Sequence, residues 1–343
     1  MRLICIEEHA IDDTFNRAAE ATMNREAPYM SQLNVSAAGS PEAPPSSMPT
    51  MLPMAQAVNL GRDLGAGRID AMDLHGIDMQ VVSYSTPSQL GPAETAVELA
   101  RAANDRLAAA VAANPDRLAA FAALPWQDPS AAAEELTRCV ESLGMRGVLL
   151  LGRPGATFLD DLRYEPVLQR LSELGLPLYV HPFYPVQDVQ RSYYAGFAPA
   201  VEAAFSLAGW GWHHESGVHV LRMILGGVFE RHPNLQVISG HWGEMVPFFL
   251  SRLDDAMPAS LTGLSTTISE VYRSHVFVTP GGLLDELQFD YIYRCLGADR
   301  IIWSADYPYL SMNGHREFLD GLAIPDEDKH KITHGNAEKL LGV

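Results

Sequence analysis

Eight short apolar runs recur along this chain, with stretches of helical periodicity between them. The runs are Leu3–Ile6, Met79–Ser83, Leu118–Ala122, Gly147–Leu151, Pro177–Val180, Gln236–Ser239, His275–Val278 and Ile301–Ser304. Continuous apolar runs of this length fit parallel strands buried on both faces. The helical stretches carry their own stop and start signals. Thr95–Ala113 ends before Asn114-Pro115, and Pro129 opens Ser130–Leu143 ahead of Gly144. Eight strands, each followed by a helix, predict an α/β fold of the closed (β/α)8 TIM-barrel type. Such barrels often take about 250 residues or more as one unit, so the 343 residues read as a single domain, 1–343.

Two stretches break this rhythm. Asn24–Pro53 holds six prolines and reads as a long loop excursion after the first strand. Pro182–Gly211 is an aromatic-rich insertion after strand 5, with Tyr184, Tyr193, Tyr194, Phe197, Phe205 and Trp210. Its place after a barrel strand predicts a position near the active-site face.

The formal net charge of -18 excludes nucleic acid and an anionic membrane surface as partners. No run approaches the roughly 20 apolar residues that a bilayer crossing needs. The three scattered cysteines show no disulfide or CxxC pattern, which predicts a reducing, cytoplasmic setting. The opening apolar run is too short for a signal-peptide core.

Barrel enzymes place their chemistry at the C-terminal ends of strands. The first run ends in Glu7-Glu8-His9, the fifth in His181, the sixth in His241 and the eighth in Asp306. Glu7 and His9 are two residues apart, so on a strand they share a side while Glu8 turns away. Imidazole and carboxylate donors suit Zn²⁺, Mn²⁺ or Fe²⁺. A single such residue is commonly a satisfied core group. Four strand ends carrying metal-type residues at once point to a site, because unpaired buried ionisable groups are costly.

These motifs bear a family likeness. Glu7-x-His9, His181-Pro182, Gly240-His241-Trp242-Gly243-Glu244 and Ser304-Ala305-Asp306-Tyr307-Pro308 occur in that order. Met72–Ile77, Phe121–Pro129, Phe229–Leu235, Gly297–Arg300 and Asn336-Ala337 add support. The chain resembles the decarboxylase branch of the amidohydrolase superfamily, which includes aminocarboxymuconate semialdehyde, γ-resorcylate, 2,3-dihydroxybenzoate and 5-carboxyvanillate decarboxylases. The resemblance runs through nearly the whole chain outside 24–53.

The resemblance implies that Glu7, His9, His181 and Asp306 hold the metal. It makes His241 the catalytic histidine, Glu244 its orienter and Arg252 a substrate-binding arginine. No lysine stands after the fourth strand, where binuclear members carry a bridging lysine, which implies one divalent metal, Zn²⁺ first and Mn²⁺ next. Three positions depart from the resorcylate-type pattern. Phe183 replaces an arginine, Pro280-Gly281-Gly282-Leu283 replaces a Ser-Gly-Asn-Phe run, and His213 and His214 replace small or amide residues. Phe183, Trp210, Trp212, His213 and His214 are the further candidates for substrate binding.

The implied activity is non-oxidative decarboxylation of an aromatic (hydroxybenzoate-like) or muconate-like acid. Asp306 would supply the proton, and His241 with Glu244 would balance charge. Metal-assisted hydrolysis of an amide, ester or lactone is the alternative on the same ligand set, and a non-catalytic binding module is the third. The expected partner is a small carboxylic acid, and the expected assembly a homo-oligomer, dimer or tetramer. Glu215 and His219, four apart on a predicted helix, are expected to pair structurally. His75 is read at a helix end. His232, His275, His315, His330 and His334 are read as surface or capping residues.

Overall fold

The computed structural model describes residues 1–32 and 48–343. Seven strands are formed among them: β1 (Ile4–Ala10), β2 (Met79–Tyr84), β3 (Leu118–Ala120), β4 (Val148–Leu151), β5 (Pro177–His181), β6 (Gln236–Ser239) and β7 (Val276–Val278). They lie in two parallel arcs, β1-β2-β3 and β4-β5-β6-β7. Backbone hydrogen bonds join the arcs on both sides. Ala122 N–H donates to Gly147 O at 2.8 Å, and Ala122 bridges Val148 in parallel. Across the other gap, Ile302 N–H donates to Val278 O and Ile6 N–H donates to Trp303 O, each at 3.0 Å. The Ile301–Ser304 run therefore takes the eighth place and closes a TIM barrel, although only Ile301 forms a β-bridge there. The third strand is likewise shorter than its apolar run, with Ala122 held by its bridge alone.

Alternation along the strands sorts the core into two layers. Ile4, Ile6, Met79, Val81, Phe121, Leu149, Tyr179, Ile238 and Ile302 fill the barrel interior as one buried cluster. Leu3, Cys5, Val82, Leu118, Val148, Leu178, Val237, Val276 and Trp303 face the surrounding helices in a second cluster. Two residues past Tyr179, Ile238, Phe277 and Ile302 stand His181, Gly240, Thr279 and Ser304. A polar tier thus caps the apolar tier at the C-terminal mouth.

Strand β1 reaches this tier by a different route. Simple alternation from Ile4 and Ile6 would send Glu8 inward. The pairing with β2 instead slips between Ile6 and Glu8, leaving Glu7 as an extra residue at φ 79°. Such a bulge re-aims the side chains beyond it. Glu7 and His9 enter the mouth, and Glu8 turns outward to accept from Ala305 N–H at 2.8 Å and Gln80 Nε2 at 3.1 Å. Arg68, fully buried, completes this outer network by donating to Gln80 Oε1 at 3.0 Å and to His9 O at 2.6 Å.

The described parts of the two interruptions carry helical structure. Residues 24–26 finish the helix Asp13–Glu26, and Pro28–Gln32 forms a 3-10 turn. The middle of the excursion, 33–47, lies outside the described residues. Its end returns beside the eighth run, where Leu52 N–H donates to Tyr309 O and Ser311 N–H donates to Thr50 O, each at 2.9 Å. The stretch after β5 is helical, with Gln187–Val189, a π-turn at Gln190–Tyr194 and Pro199–Ser206. Among the described residues no helix is long and apolar enough to cross a membrane.

Three histidines read as surface or capping groups, His232, His315 and His334, are buried. His232 pairs with Glu165 at 2.7 Å, and His315 accepts from Trp303 Nε1 at 3.0 Å. The expected Glu215–His219 pair does not form, because each residue has a better-placed partner. Glu215 meets Arg153 at 2.9 Å, while His219 Nε2 accepts from Leu159 N–H and its Nδ1 faces Gly152 O.

Burial presses the pKa of His219 down to about 3, and burial, with a smaller push from His75, does the same to His315. Both values lie below the unfolded value near 6.5. The stabilisation from keeping these rings neutral is therefore complete above pH 6.5 and is lost as pH falls toward 3. Each ring should cost about 2 kcal/mol between pH 6.5 and 5. Glutamine can replace both hydrogen bonds of His219 without titrating. His219→Gln should therefore flatten the acid slope of urea-unfolding stability by that amount, and an unchanged slope would refute the assignment.

Candidate metal centre

Glu7 is wholly buried, and its two carboxylate oxygens are treated differently. Oε2 accepts from Thr279 Oγ1 at 2.8 Å and Ser304 Oγ at 2.9 Å. Thr279 in turn accepts from Tyr179 Oη at 2.8 Å, and Ser304 Oγ accepts from Gly281 N–H at 2.8 Å. Oε1 has no hydrogen-bond partner. It lies 3.6 Å from His181 Nε2 and 3.9 Å from His241 Nδ1. Burial raises the Glu7 carboxyl above its ordinary range, against the pull of His241.

His181 presents a lone pair to the same point. Its Nδ1–H donates to Pro182 O at 2.7 Å. That bond fixes the tautomer and leaves Nε2 free as a ligand atom. Nε2 is buried without a partner, as are both ring nitrogens of His9. His9 Nε2 lies 3.1 Å from Asp306 Oδ1, and the His9 and His181 rings meet edge to face at 4.8 Å. Ligand-type atoms of His9, His181 and Asp306 all fall within 4.8 Å of one another. Donors about 2.1 Å from a shared ion sit roughly 3 to 3.5 Å apart. The spacings of 3.1 Å and 3.6 Å match that geometry, and the orphaned buried donors supply a reason for a cation to be there. The residues present fit one divalent metal.

His241 stands on the other side of Asp306. Its Nδ1–H donates to Glu244 Oε1 at 2.8 Å, and its Nε2 lies 3.9 Å from Asp306 Oδ2. Burial opposes a charge on His241, but Glu244, Glu7 and Asp306 together hold its pKa well above the ordinary value. Burial would raise the Asp306 carboxyl, but the adjacent His241 and His9 rings hold it low. The backbone here is unusual. His241, Trp242, Gly243, Glu244 and Met245 all take positive φ, from 45° to 83°. This left-handed turn is pinned by Trp242 N–H to Thr279 O at 2.7 Å and Trp242 Nε1 to Leu283 O at 2.8 Å.

The substrate-binding candidates have different fates. Trp212 Nε1 lies 3.0 Å from His213 Nε2, and His213 Nδ1 lies 2.7 Å from Glu244 Oε2. Phe183 follows the His181-Pro182 pair and packs on Tyr184 at 4.8 Å. Trp210 and His214 are exposed. Arg252 is 74% exposed and paired with Asp255 at 3.1 Å. The structure does not bring these last three to the cluster. The Pro280–Leu283 loop does reach it. A Cβ on Gly281 would stand 2.6 Å from His241 Cδ2.

Sequence reasoning missed Thr279, Ser304, Tyr179 and Tyr309. Thr279 directly follows the seventh run and Ser304 ends the eighth, so asking which polar residue closes each strand would have found them. Tyr179 stands two residues before His181 on β5. Tyr309, whose ring lies 5.5 Å from His9 and whose Oη donates to Ser85 Oγ at 2.7 Å, carried no such signal.

This barrel and mouth define a class. Residues 61–343 match the amidohydrolase family, and the chain belongs to it. Decarboxylase orsB of Emericella nidulans is 35% identical over 292 residues, covering 82% of this chain and 86% of that protein. The γ-resorcylate decarboxylase of Rhodococcus jostii is 34% identical over 298 residues, covering 81% and 88%. A solved dihydroxybenzoic acid decarboxylase from Polaromonas sp. JS666, with bound manganese and the inhibitor 2-nitroresorcinol, superposes with a TM-score of 0.81 at 28% identity, covering 99% of this chain and 97% of that one.

Metal analysis of the purified chain should give about one equivalent of divalent metal, the stoichiometry of one open site. His181→Ala should lose that metal while the far-ultraviolet circular dichroism stays native. Two equivalents, or full retention of metal in the variant, would contradict the site as built.

Proposed function

We propose that this chain is a metal-dependent, non-oxidative decarboxylase of an aromatic or muconate-like carboxylic acid. One observation carries the reading. Glu7, His9 and His181, each with an unpartnered donor atom, and Asp306 converge beside a buried His241–Glu244 pair in a chain whose similar proteins are named decarboxylases. These four residues would hold one divalent metal. Bound there, it would fix the substrate carboxylate and a neighbouring oxygen and stabilise negative charge on them. Zn²⁺ is our first candidate from the donor types, and Mn²⁺ is the rival, favoured by the manganese in the Polaromonas enzyme.

The chain's own groups then manage one proton. Protonating the ring carbon that bears the carboxylate breaks its conjugation and lets CO2 depart with the bonding pair returning to the ring. Asp306 delivers this proton. His241 Nε2 faces Asp306 Oδ2 and recharges it, while Glu244 holds the opposite edge of the ring. His241→Asn should keep the metal and lose about a hundredfold or more in turnover. Near-normal turnover in that variant would make His241 structural.

We also propose a homo-oligomer, a dimer or tetramer. The support is the exposed apolar set on the stretch after β5, Tyr193, Phe197, Val201, Phe205 and Trp210. The unpaired state of Cys5, Cys139 and Cys295 supports a reducing, cytoplasmic compartment.

The test of the reaction is an assay of metal-loaded enzyme on hydroxybenzoates, carboxyvanillate and aminocarboxymuconate semialdehyde. CO2 should be released without NAD or oxygen. In D2O the product should carry one deuterium at the carbon that lost CO2. Cleavage of amides, esters or lactones with no CO2 evolved from any acid would establish the hydrolase alternative instead.

A further inference from the structure

Glu244 is the hinge of a three-residue arrangement that the reaction as described uses only in part. Its side chain is fully buried. Oε1 accepts from His241 Nδ1–H at 2.8 Å, and Oε2 stands 2.7 Å from Nδ1 of a second histidine, His213. The two imidazole rings lie edge to face with centroids 4.5 Å apart. An ionised carboxylate only accepts, so both rings must offer Nδ1–H to it. The far edge of His213 is held as well. Its Nε2 is 3.0 Å from the indole Nε1 of Trp212, which can only donate. A neutral His213 that accepts there must carry its proton on Nδ1, the edge that faces Glu244. The same nitrogen is also 3.0 Å from Ala208 O, so the ring has an anchor in either protonation state.

We propose that His213 is a positioning residue for His241, acting through Glu244 and held in register by Trp212. The inference rests on the decarboxylase reading for its effect on turnover, but not for its structural content. It reassigns His213, first considered as a substrate contact, to the far side of the catalytic pair. With Oε2 held by His213, Glu244 cannot rotate away from His241. Its Oε1 thereby stays in place as the acceptor for Nδ1–H of His241. The Nε2 edge of His241 is thereby turned toward Asp306, where the proton must pass. Without His213, a buried carboxylate oxygen is left without its donor. The carboxylate then either turns or takes up a proton, and His241 loses its fixed orientation.

The experiment combines turnover with nitrogen-15 spectra of the histidine rings in the metal-loaded, full-length protein. In the wild type, Nδ1 of both His213 and His241 should carry a proton, assigned with His213→Ala and His241→Asn. An unprotonated Nδ1 on either ring overturns the proposal, whatever the substrate proves to be. His213→Ala should lower kcat on the order of tenfold to a hundredfold, the scale for groups that orient a functional ring. KM and metal content should stay near wild type, and the His241 Nδ1–H signal should broaden or shift. His213→Gln, which keeps an N–H donor, should recover most of the kcat. A raised KM with unchanged kcat would make His213 a substrate contact, and unchanged kcat with an unchanged His241 spectrum would make it a spectator. If His213→Ala does not fold, the wild-type spectrum and the glutamine variant still decide, because a folded glutamine variant that leaves the His241 signal displaced contradicts the proposal. If no acid is decarboxylated, the spectra alone judge the His213–Glu244–His241 arrangement, separately from the reaction.

Discussion

The structure depends on one electrostatic constraint: the Glu7 carboxylate sits at zero exposure with only one of its oxygens satisfied. Burying an unpaired charge is among the costliest things a fold can do. The barrel meets part of that cost with hydroxyls. Thr279 and Ser304, from the seventh and eighth places in the ring, donate to Oε2 and stop the carboxylate from turning. The remaining oxygen is aimed at His181 and the cluster beyond it. His181 repeats the pattern of one polar edge tied to the scaffold and one left bare. It ties Nδ1 to Pro182 O and leaves Nε2 open. A set of bare edges converging within hydrogen-bonding range is unstable as an arrangement of neutral protein groups, and a cation resolves it. Metal binding and local folding are in that sense one equilibrium.

A second cost is carried by the backbone. Left-handed conformation costs a non-glycine residue on the order of 1–2 kcal/mol, and His241, Trp242, Glu244 and Met245 all adopt it in a row around Gly243. Strain of this kind persists only where surrounding contacts over-determine it. Here the contacts come from β7 and the loop after it, through Thr279 O and Leu283 O, and from the buried Trp242 ring against Trp303 and Phe289. The gain is geometric. A right-handed turn after β6 would carry His241 and Glu244 along a helix face, whereas the left-handed turn folds Glu244 back under His241 and keeps both at the mouth. Gly281, pressed against the His241 ring, leaves no room for a side chain in the loop that holds this turn down.

These two costs mark where the sequence could and could not be read. The barrel was legible because parallel strands buried on both faces leave continuous apolar runs, and all eight runs fall at barrel positions. His181 was legible because alternation carries it to the mouth, two positions beyond the interior residue Tyr179. What escaped were features set by backbone detail. The bulge at Glu7 decides that Glu7 and His9, rather than Glu8, turn inward, and the apolar pattern before it points the other way. The left-handed turn at 241–245 contains one glycine in five, too few to announce it. Buried His232 and His315 looked like surface groups because their partners, Glu165 and Trp303, are distant in sequence or lie on another layer. Arg68 was invisible for the same reason. Its role comes from an outer network with Gln80 and the His9 carbonyl that no local spacing encodes.

The departures from the resorcylate-type pattern can now be sorted by what they touch. Phe183 lies immediately past a ligand-type histidine and packs on Tyr184, so it replaces a charged group with an aromatic one beside the bare donors. The Pro280–Leu283 loop stands against His241 and donates to Ser304, so it changes both the wall of the mouth and the support of Glu7. His213 faces Glu244, on the side away from the His241 contact, while His214, its neighbour, is exposed. The donor cluster itself has no such departure. The floor of the mouth, built from strand ends, thus carries the donor cluster, while the loop after β7 packs against it from the side, with Gly281 on the His241 ring and its N–H on Ser304 Oγ.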